Sequence, residues 1–225
     1  MRTLALIPCY NEETAVADVV RGCLRHTDGA LVVDDGSSDA TASRARQAGA
    51  VVIRHPENRG KGVALNAGYD YAVREGYDAV ITLDGDGQHD PSEIPKLLQA
   101  AAAPDVHIVL GCRMGDVEDM PAIRRWTNRT TSRFVSWLSG QEIRDSQTGF
   151  RLIKRDVLEA VRCVTRNYDA EPEILIKAGR KGFRVAEVPV ATIYHGGKSS
   201  IHPVLDTWRF IRLVAVSWWN LRRRR

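Results

Sequence analysis

The chain lacks the signatures of several large protein classes. It holds no run of 18 uninterrupted apolar residues, so no segment is built like a transmembrane helix of ordinary length. Its four cysteines, Cys9, Cys23, Cys112 and Cys163, make neither a CxxC pair nor a zinc-ligand spacing. Buried free thiols in a reducing compartment are the expectation. No GxGxxG turn follows the first apolar run, and no GxxxxGK[ST] loop, serine elbow or His-rich motif occurs anywhere. A Rossmann dehydrogenase, a P-loop NTPase, a serine hydrolase and a zinc hydrolase are therefore disfavoured together. Net charge is scarce as well. Four of the 32 basic residues are Arg222–Arg225, which leaves 28 against 28 acidic residues, so the formal +4 sits in a terminal tag and nucleic acid is not an expected partner. No linker, repeat or low-complexity stretch interrupts the 225 residues before those arginines, which predicts one domain over 1–202 followed by an amphipathic helix and basic tail over 203–225. The opening MRTLALIPCYNEE turns polar after six apolar or small residues, with no cleavage site, and reads as a buried strand and not a signal peptide.

Residues 1–111 alternate short apolar runs with helical periodicity, the pattern of a mostly parallel α/β sheet flanked by helices. Strands are expected at Thr3–Ile7, Ala30–Val33, Ala50–Arg54, Ala79–Leu83 and Val106–Leu110. Between them come a helix with Val16, Val19, Val20, Cys23 and Leu24 on one face, and one over Thr41–Ala48 behind the capping candidates Ser38 and Asp39. A third helix spans Gly62–Glu75, with Ala64, Ala67, Gly68, Tyr71 and Ala72 inward, and a fourth runs near Ser92–Ala102. Beyond Gly111 the rhythm changes to an arginine-rich helix at 121–139, a loop over Asp145–Phe150, a helix over Glu173–Gly179, a strand over Arg184–Val190 and a last helix over Pro203–Leu221.

Ligands of an open α/β sheet bind beyond the carboxyl ends of its strands. Here those ends carry Pro8–Glu13, Asp34–Asp39, Asp84–Asp90 and Arg113. Acids gathered at one edge repel, and a cation or hydrogen-bonded ligand relieves the repulsion. In TLDGDGQHDP, Asp84 and Asp86 flank Gly85 just past a strand, with Gln88 and His89 in reach. Such a pair can hold Mg²⁺ or Mn²⁺ together with diphosphate oxygens, while a turn or cap is the plainer use of the same residues. In NRGKGVALNAGYD, two glycines and Lys61 precede a helix start, where anions are favoured; a solvated Lys61 is the plainer alternative.

Together IPCYNEE, VVDDGSSDAT, the NRGKG…NAG run, TLDGDGQHDP and DSQTGFR resemble family-2 glycosyltransferases of the GT-A fold, and within them the dolichol- or polyprenyl-phosphate mannosyltransferases. The resemblance runs from about residue 3 to about residue 212. It implies a nucleoside pocket lined by Pro8, Tyr10 and Glu12, with Val33 and Asp35 on base and ribose. It implies a metal on the diphosphate held by Asp84, Asp86 and Gln88, with Arg113 toward the donor. Arg124 falls on the family arginine that meets the acceptor phosphate, and Asn128 where a serine is common. His195 stands where an arginine is expected, with Lys198 nearby, and Asp169 where some relatives have lysine, so the acceptor contacts on that side depart from the family pattern.

A phosphomonoester acceptor is already anionic at pH 7 and needs cationic guidance more than a general base. Residues 121–133, PAIRRWTNRTTSR, carry four arginines and no acid, suited to gripping phosphate or simply to facing water. Asp145 is a candidate base, an arginine partner or a structural loop residue. The QxxRW element of processive synthases is missing, since Arg125–Trp126 lacks the upstream Gln. On the last helix Val204, Trp208, Ile211, Ala215 and Trp218 oppose Arg209, Arg212, Asn220 and Arg223, which suits an anionic membrane surface or packing on the core or a second subunit. The expectation is an inverting, metal-dependent transferase peripheral on the cytoplasmic membrane face. It moves a hexose, mannose from GDP-mannose first among them, onto a polyprenyl phosphate, with room for a homo-oligomer or a membrane protein partner. The rivals are a UDP-sugar transferase to lipid phosphate or to a soluble hydroxyl, and a catalytically dead membrane adaptor.

Overall fold

The computed structural model describes residues 1–112, 122–165 and 169–191, with the backbone alone over 122–127. Seven strands form one sheet: β1 (Thr3–Cys9), β2 (Gly29–Asp34), β3 (Val51–Arg54), β4 (Ala79–Thr82), β5 (Ile108–Cys112), β6 (Arg151–Lys154) and β7 (Val185–Pro189). Their spatial order is β3-β2-β1-β4-β6-β5-β7. The helices are α1 (Val16–Leu24), α2 (Thr41–Gln47), α3 (Lys61–Arg74), α4 (Ile94–Ala101, after a 3₁₀ turn at Pro91–Glu93), α5 (Ala122–Ser139), α6 (Arg155–Ala160) and α7 (Ala170–Arg180). Buried apolar side chains form two clusters. One gathers Leu4, Leu6 and Leu31 with α3, α6 and α7, and the other gathers Ala5, Ile7 and Val32 with α1 and α4. Successive residues of β1 and β2 thus face opposite layers, which is why their runs are apolar throughout and not alternating.

The expected strands and helices of the first 112 residues are present, with boundaries moved by one or two positions. The N-cap of α2 is Ala40, with no side-chain cap; Asp39, one position earlier, accepts the Thr41 N–H at 2.9 Å, and the Ser38 amide donates to Asn11 Oδ1. The buried face of α3 is Ala64, Leu65, Gly68, Tyr69 and Ala72, with Ala67 and Tyr71 only partly covered. The helix is turned toward Leu65 and Tyr69 because α6 and α7 close over that side.

The pattern of residues 151–160 predicts no element, yet the structure places β6 and α6 there. β6 has only four residues, RLIK, with charged ends, too short to show a period. It is antiparallel to both neighbours, β4 and β5, and every other pairing in the sheet is parallel. An antiparallel strand enters the sheet at the edge where parallel strands leave it. The loop before β6 therefore lies beside the chain leaving β4: Thr82 pairs with Arg151, and the Thr82 hydroxyl donates to Gly149 O at 2.7 Å. The carboxyl ends of β1, β2 and β4 and the entry to β6 share one edge.

Candidate active site

At that edge the first two turns are tied together. Asn11, in the left-handed region at φ 57°, donates its N–H to Ser37 Oγ, and the Glu12 N–H donates to Thr41 Oγ1. Asp34 is fully buried, accepts the Ser37 N–H and lies 3.2 Å from Arg54 Nε. Asp35 is also buried. Its carboxylate faces His55 Nδ1 at 2.7 Å and accepts the N–H groups of Arg59 and Gly60, the latter at 2.7 Å. Asp35 thus holds the loop that opens α3. Sequence reasoning missed His55, whose link to Asp35 spans 20 positions without a motif.

The first residue of α3 is Lys61. Its ammonium lies 2.5 Å from Asp84 Oδ1 and 2.6 Å from Glu171 Oε1, which brings the chain after β4 and the first turn of α7 onto one cation. The other Asp84 oxygen is 3.5 Å from His89 Nε2, and His89 is itself buried against the Phe150 ring. Gly149 closes the third side: a Cβ there would stand 2.6 Å from Asp84 Oδ2. Burial alone would raise the Asp84 pKa, but Lys61 and His89 outweigh it and hold the carboxyl well below the usual range. Burial likewise works against the Lys61 charge, and Asp84 and Glu171 overcome it, so the ammonium stays protonated. Lys61 is therefore not a solvated helix-start residue: its ammonium is held by two carboxylates of the chain itself. Glu171 was not a sequence candidate.

Pro8, Glu12, Asp86 and Gln88 are partly exposed and Tyr10 is 49 % exposed, so these side chains have surface for a ligand at the strand ends. The Val33 side chain is fully buried in the core. Gly85 is buried because a Cβ would meet Cys9 Sγ at 2.5 Å, so glycine is required for Asp84 and Asp86 to pass this close to β1. Half-buried Glu12 has its carboxyl pushed up to about 7, first by burial and then by the charges of Asp86, Asp84 and Asp39. Burial is the larger cause, the neighbouring carboxylates add to it, and a hard divalent cation beside Asp86 would offset their charge. Asp86 Oδ1 accepts the Gln88 N–H at 3.0 Å, which turns the loop. Among the described residues no three His, Cys, Asp or Glu side chains form a ready cage for a metal.

On the far side of the edge, Asp145 is fully buried and accepts from Asn128 Nδ2 at 3.1 Å, which joins α5 to the loop before β6. Ser132 and Ser146 reinforce the junction at 3.1 Å. Arg151 is 2 % exposed and donates from Nε, Nη1 and Nη2 to the carbonyls of Thr148, Glu171 and Ser146. One guanidinium thus fixes both the loop that covers Asp84 and the turn that carries Glu171. The sequence candidates Arg113, His195 and Lys198, the side chain of Arg124 and the helix expected over 203–221 lie outside the described residues. All four cysteines are buried and none forms a disulfide, as expected.

The architecture is a mostly parallel α/β sheet with one antiparallel strand inserted and acids gathered where the parallel strands end. The family model described as "Glycosyl transferase family 2" matches residues 5–162. The polyprenol monophosphomannose synthase of Mycolicibacterium smegmatis is 32 % identical, over 84 % of this chain and 76 % of its own length. The UDP-N-acetylglucosamine–dolichyl-phosphate N-acetylglucosaminyltransferase of Methanococcus voltae is 30 % identical, over 84 % of each chain. The undecaprenyl-phosphate mannosyltransferase of Micrococcus luteus is also 30 % identical, over 86 % and 84 %. Among solved structures, Mycobacterium tuberculosis glucosyl-3-phosphoglycerate synthase in complex with Mn²⁺, UDP and phosphoglyceric acid superposes with a TM-score of 0.75 at 19 % identity, over 97 % of this chain and 78 % of that one. The chain belongs to glycosyltransferase family 2 and has the GT-A fold.

Proposed function

We propose that the protein transfers a hexosyl group from a nucleotide sugar to a polyprenyl phosphate, with inversion at the anomeric carbon. The observation that carries the acceptor is what the three relatives share. Their names differ in the sugar but agree on a lipid-linked monophosphate, and each likeness covers more than four-fifths of this chain. Two of the three are named for mannose, which favours GDP-mannose as donor. The third is named for UDP-N-acetylglucosamine and supports the second reading, a UDP-sugar donor with the same class of acceptor.

In this reading Pro8, Tyr10 and Glu12 receive the nucleoside, and Asp35 keeps the loop at 58–60 from entering its space. Asp86, with Asp84 and Gln88, would hold Mg²⁺ or Mn²⁺, which when bound supplies charge stabilisation to the departing diphosphate. An acceptor phosphate oxygen attacks the anomeric carbon, the bond from that carbon to the diphosphate oxygen breaks, and nucleoside diphosphate leaves. The nucleophile is already an anion, so no side chain has to take a proton. Asp145, enclosed and bonded to Asn128, is read as the residue that positions α5 and not as a base. By resemblance Arg113 remains the proposed donor-side contact and Arg124 and Asn128 the proposed acceptor-phosphate contacts, with His195 and Lys198 as candidates at positions that depart from the family pattern. We place the protein at the cytoplasmic face of a membrane, in keeping with four cysteines that form no disulfide. No helix among the described residues is long and apolar enough to cross a membrane.

The test offers labelled GDP- and UDP-sugars with Mg²⁺ or Mn²⁺ and a short polyprenyl phosphate. Label should enter the organic phase only with metal, and Asp86→Asn should reduce the rate on the order of a hundredfold or more. Donor binding with all label left in the aqueous phase would send the acceptor search to soluble hydroxyls. Donor binding with no turnover at all would favour the dead adaptor.

A further inference from the structure

Lys61 stands where a second cation meets the acids of the donor site. Its ammonium is 2.5 Å from Asp84 Oδ1, His89 Nε2 is 3.5 Å from the other oxygen, and the backbone at Gly149 lies against it, while the Asp84 side chain stays 30 % exposed to an incoming ion. A divalent ion engaging Asp84 would lie against the Lys61 charge, so the two cations compete for that carboxylate. Lys61 cannot simply be expelled into water, because its side chain is only 16 % exposed and is anchored at the start of α3, beside the loop that Asp35 grips. A second carboxylate already shares the ammonium from the other side: Glu171 Oε1, 2.6 Å away, on a side chain 7 % exposed. Glu171 is itself fixed from behind, since Arg151 Nη1 holds its backbone carbonyl at 2.6 Å.

We propose that Lys61 is a resident counter-cation which balances Asp84 before the divalent ion binds, and that Glu171 is the positioning residue which takes over the ammonium when the ion arrives. The inference rests on the reading of Asp84 and Asp86 as the metal-holding pair. Glu171 then sets how readily the site accepts its ion, although it is not itself a ligand. With Glu171 in place the ammonium, bonded to both carboxylates before the ion binds, can give up Asp84 and still keep a charged partner. Without the Glu171 charge, Lys61 has one carboxylate partner fewer and holds Asp84 harder.

The test measures Mn²⁺ alone, without donor, by the electron paramagnetic resonance signal of the free ion, in wild type, Glu171→Gln, Lys61→Met, the double variant and Asp86→Asn. Glu171→Gln should weaken Mn²⁺ binding on the order of tenfold, the difference between a charged and a neutral partner for the ammonium. Lys61→Met should tighten binding, and adding Glu171→Gln to it should change affinity less than threefold, because the competitor is gone. An equal loss from Glu171→Gln with and without Lys61, or no loss in either, would overturn the exchange. Mn²⁺ binding indifferent to Asp86→Asn would instead overturn the site reading, and the exchange with it. Sensitivity to Asp86 alone keeps the site and removes the exchange. Should Lys61→Met fail to fold, ¹³C-labelled lysine in the wild type decides. The resonance of the buried lysine moves on adding Mg²⁺ if the ammonium changes partners, and a stationary resonance refutes the proposal.

Discussion

Replacing Arg151 by Met should cost this protein a large part of its stability. The guanidinium donates to Thr148 O at 2.7 Å, Glu171 O at 2.6 Å and Ser146 O at 2.8 Å from a side chain almost wholly out of water. Methionine keeps the apolar stem and removes the cost of burying a charge, but it leaves three carbonyls without that donor. Each buried group deprived of its partner costs about 1–3 kcal/mol. Offset in part by the relieved desolvation of the charge, the net loss should be about 4 kcal/mol, against a total stability of about 5–15 kcal/mol for a domain. At about 2–4 °C per kcal/mol for a chain of this size, the melting midpoint should fall by roughly 8–16 °C. Calorimetry, with urea unfolding as a second route, would measure it. Arg151→Lys should recover less than half, because one ammonium cannot reproduce the fork that reaches three carbonyls. A fall of less than about 3 °C with an unchanged cooperative transition would refute the reasoning. It would mean that water or a shifted backbone satisfies those carbonyls.

Three further predictions are independent of that one. Gly149→Ala places a Cβ 2.6 Å from Asp84 Oδ2 and should cost about 1–3 kcal/mol while displacing the carboxylate; unchanged transfer kinetics would show that the 149 backbone does not seat Asp84. Glu12 has a folded-state pKa of about 7 against an ordinary 4.5, so the folded protein binds its proton more tightly and loses stability as pH rises from about 4.5 through about 7. In metal-free buffer Glu12→Gln should flatten that decline, and a parallel profile for the two proteins would contradict the assignment. Removing Arg222–Arg225 should weaken binding to anionic liposomes, the more so at low salt, and leave donor binding intact. Equal liposome binding by the truncated chain would take the tail out of membrane contact.

The local pattern of residues 3–112 was sufficient to locate five parallel strands, because each is a short apolar run closed by polar residues and followed by a helix of period 3.6. The same logic marked the strand ends as the ligand edge and singled out Asp84 and Asp86, whose glycine spacer is readable without coordinates. What the pattern could not carry was any arrangement joining distant segments. Four residues with charged ends at 151–154 show no period, yet their antiparallel entry between β4 and β5 is what lays Gly149 on Asp84. Lys61 and Glu171 are 110 positions apart and belong to no common motif, so only the closing of α7 over α3 reveals that Lys61 neutralises an acid at the site and is not an open anion hook. Asp35 looked like a ligand contact, and the folded chain shows both of its oxygens accepting N–H groups of the next loop. Residue types and spacing determine which strands form and which acids reach the edge, because those depend on neighbours along the chain. Which charge meets which is decided by packing, since a buried ion takes the nearest opposite charge in space, wherever that lies in sequence.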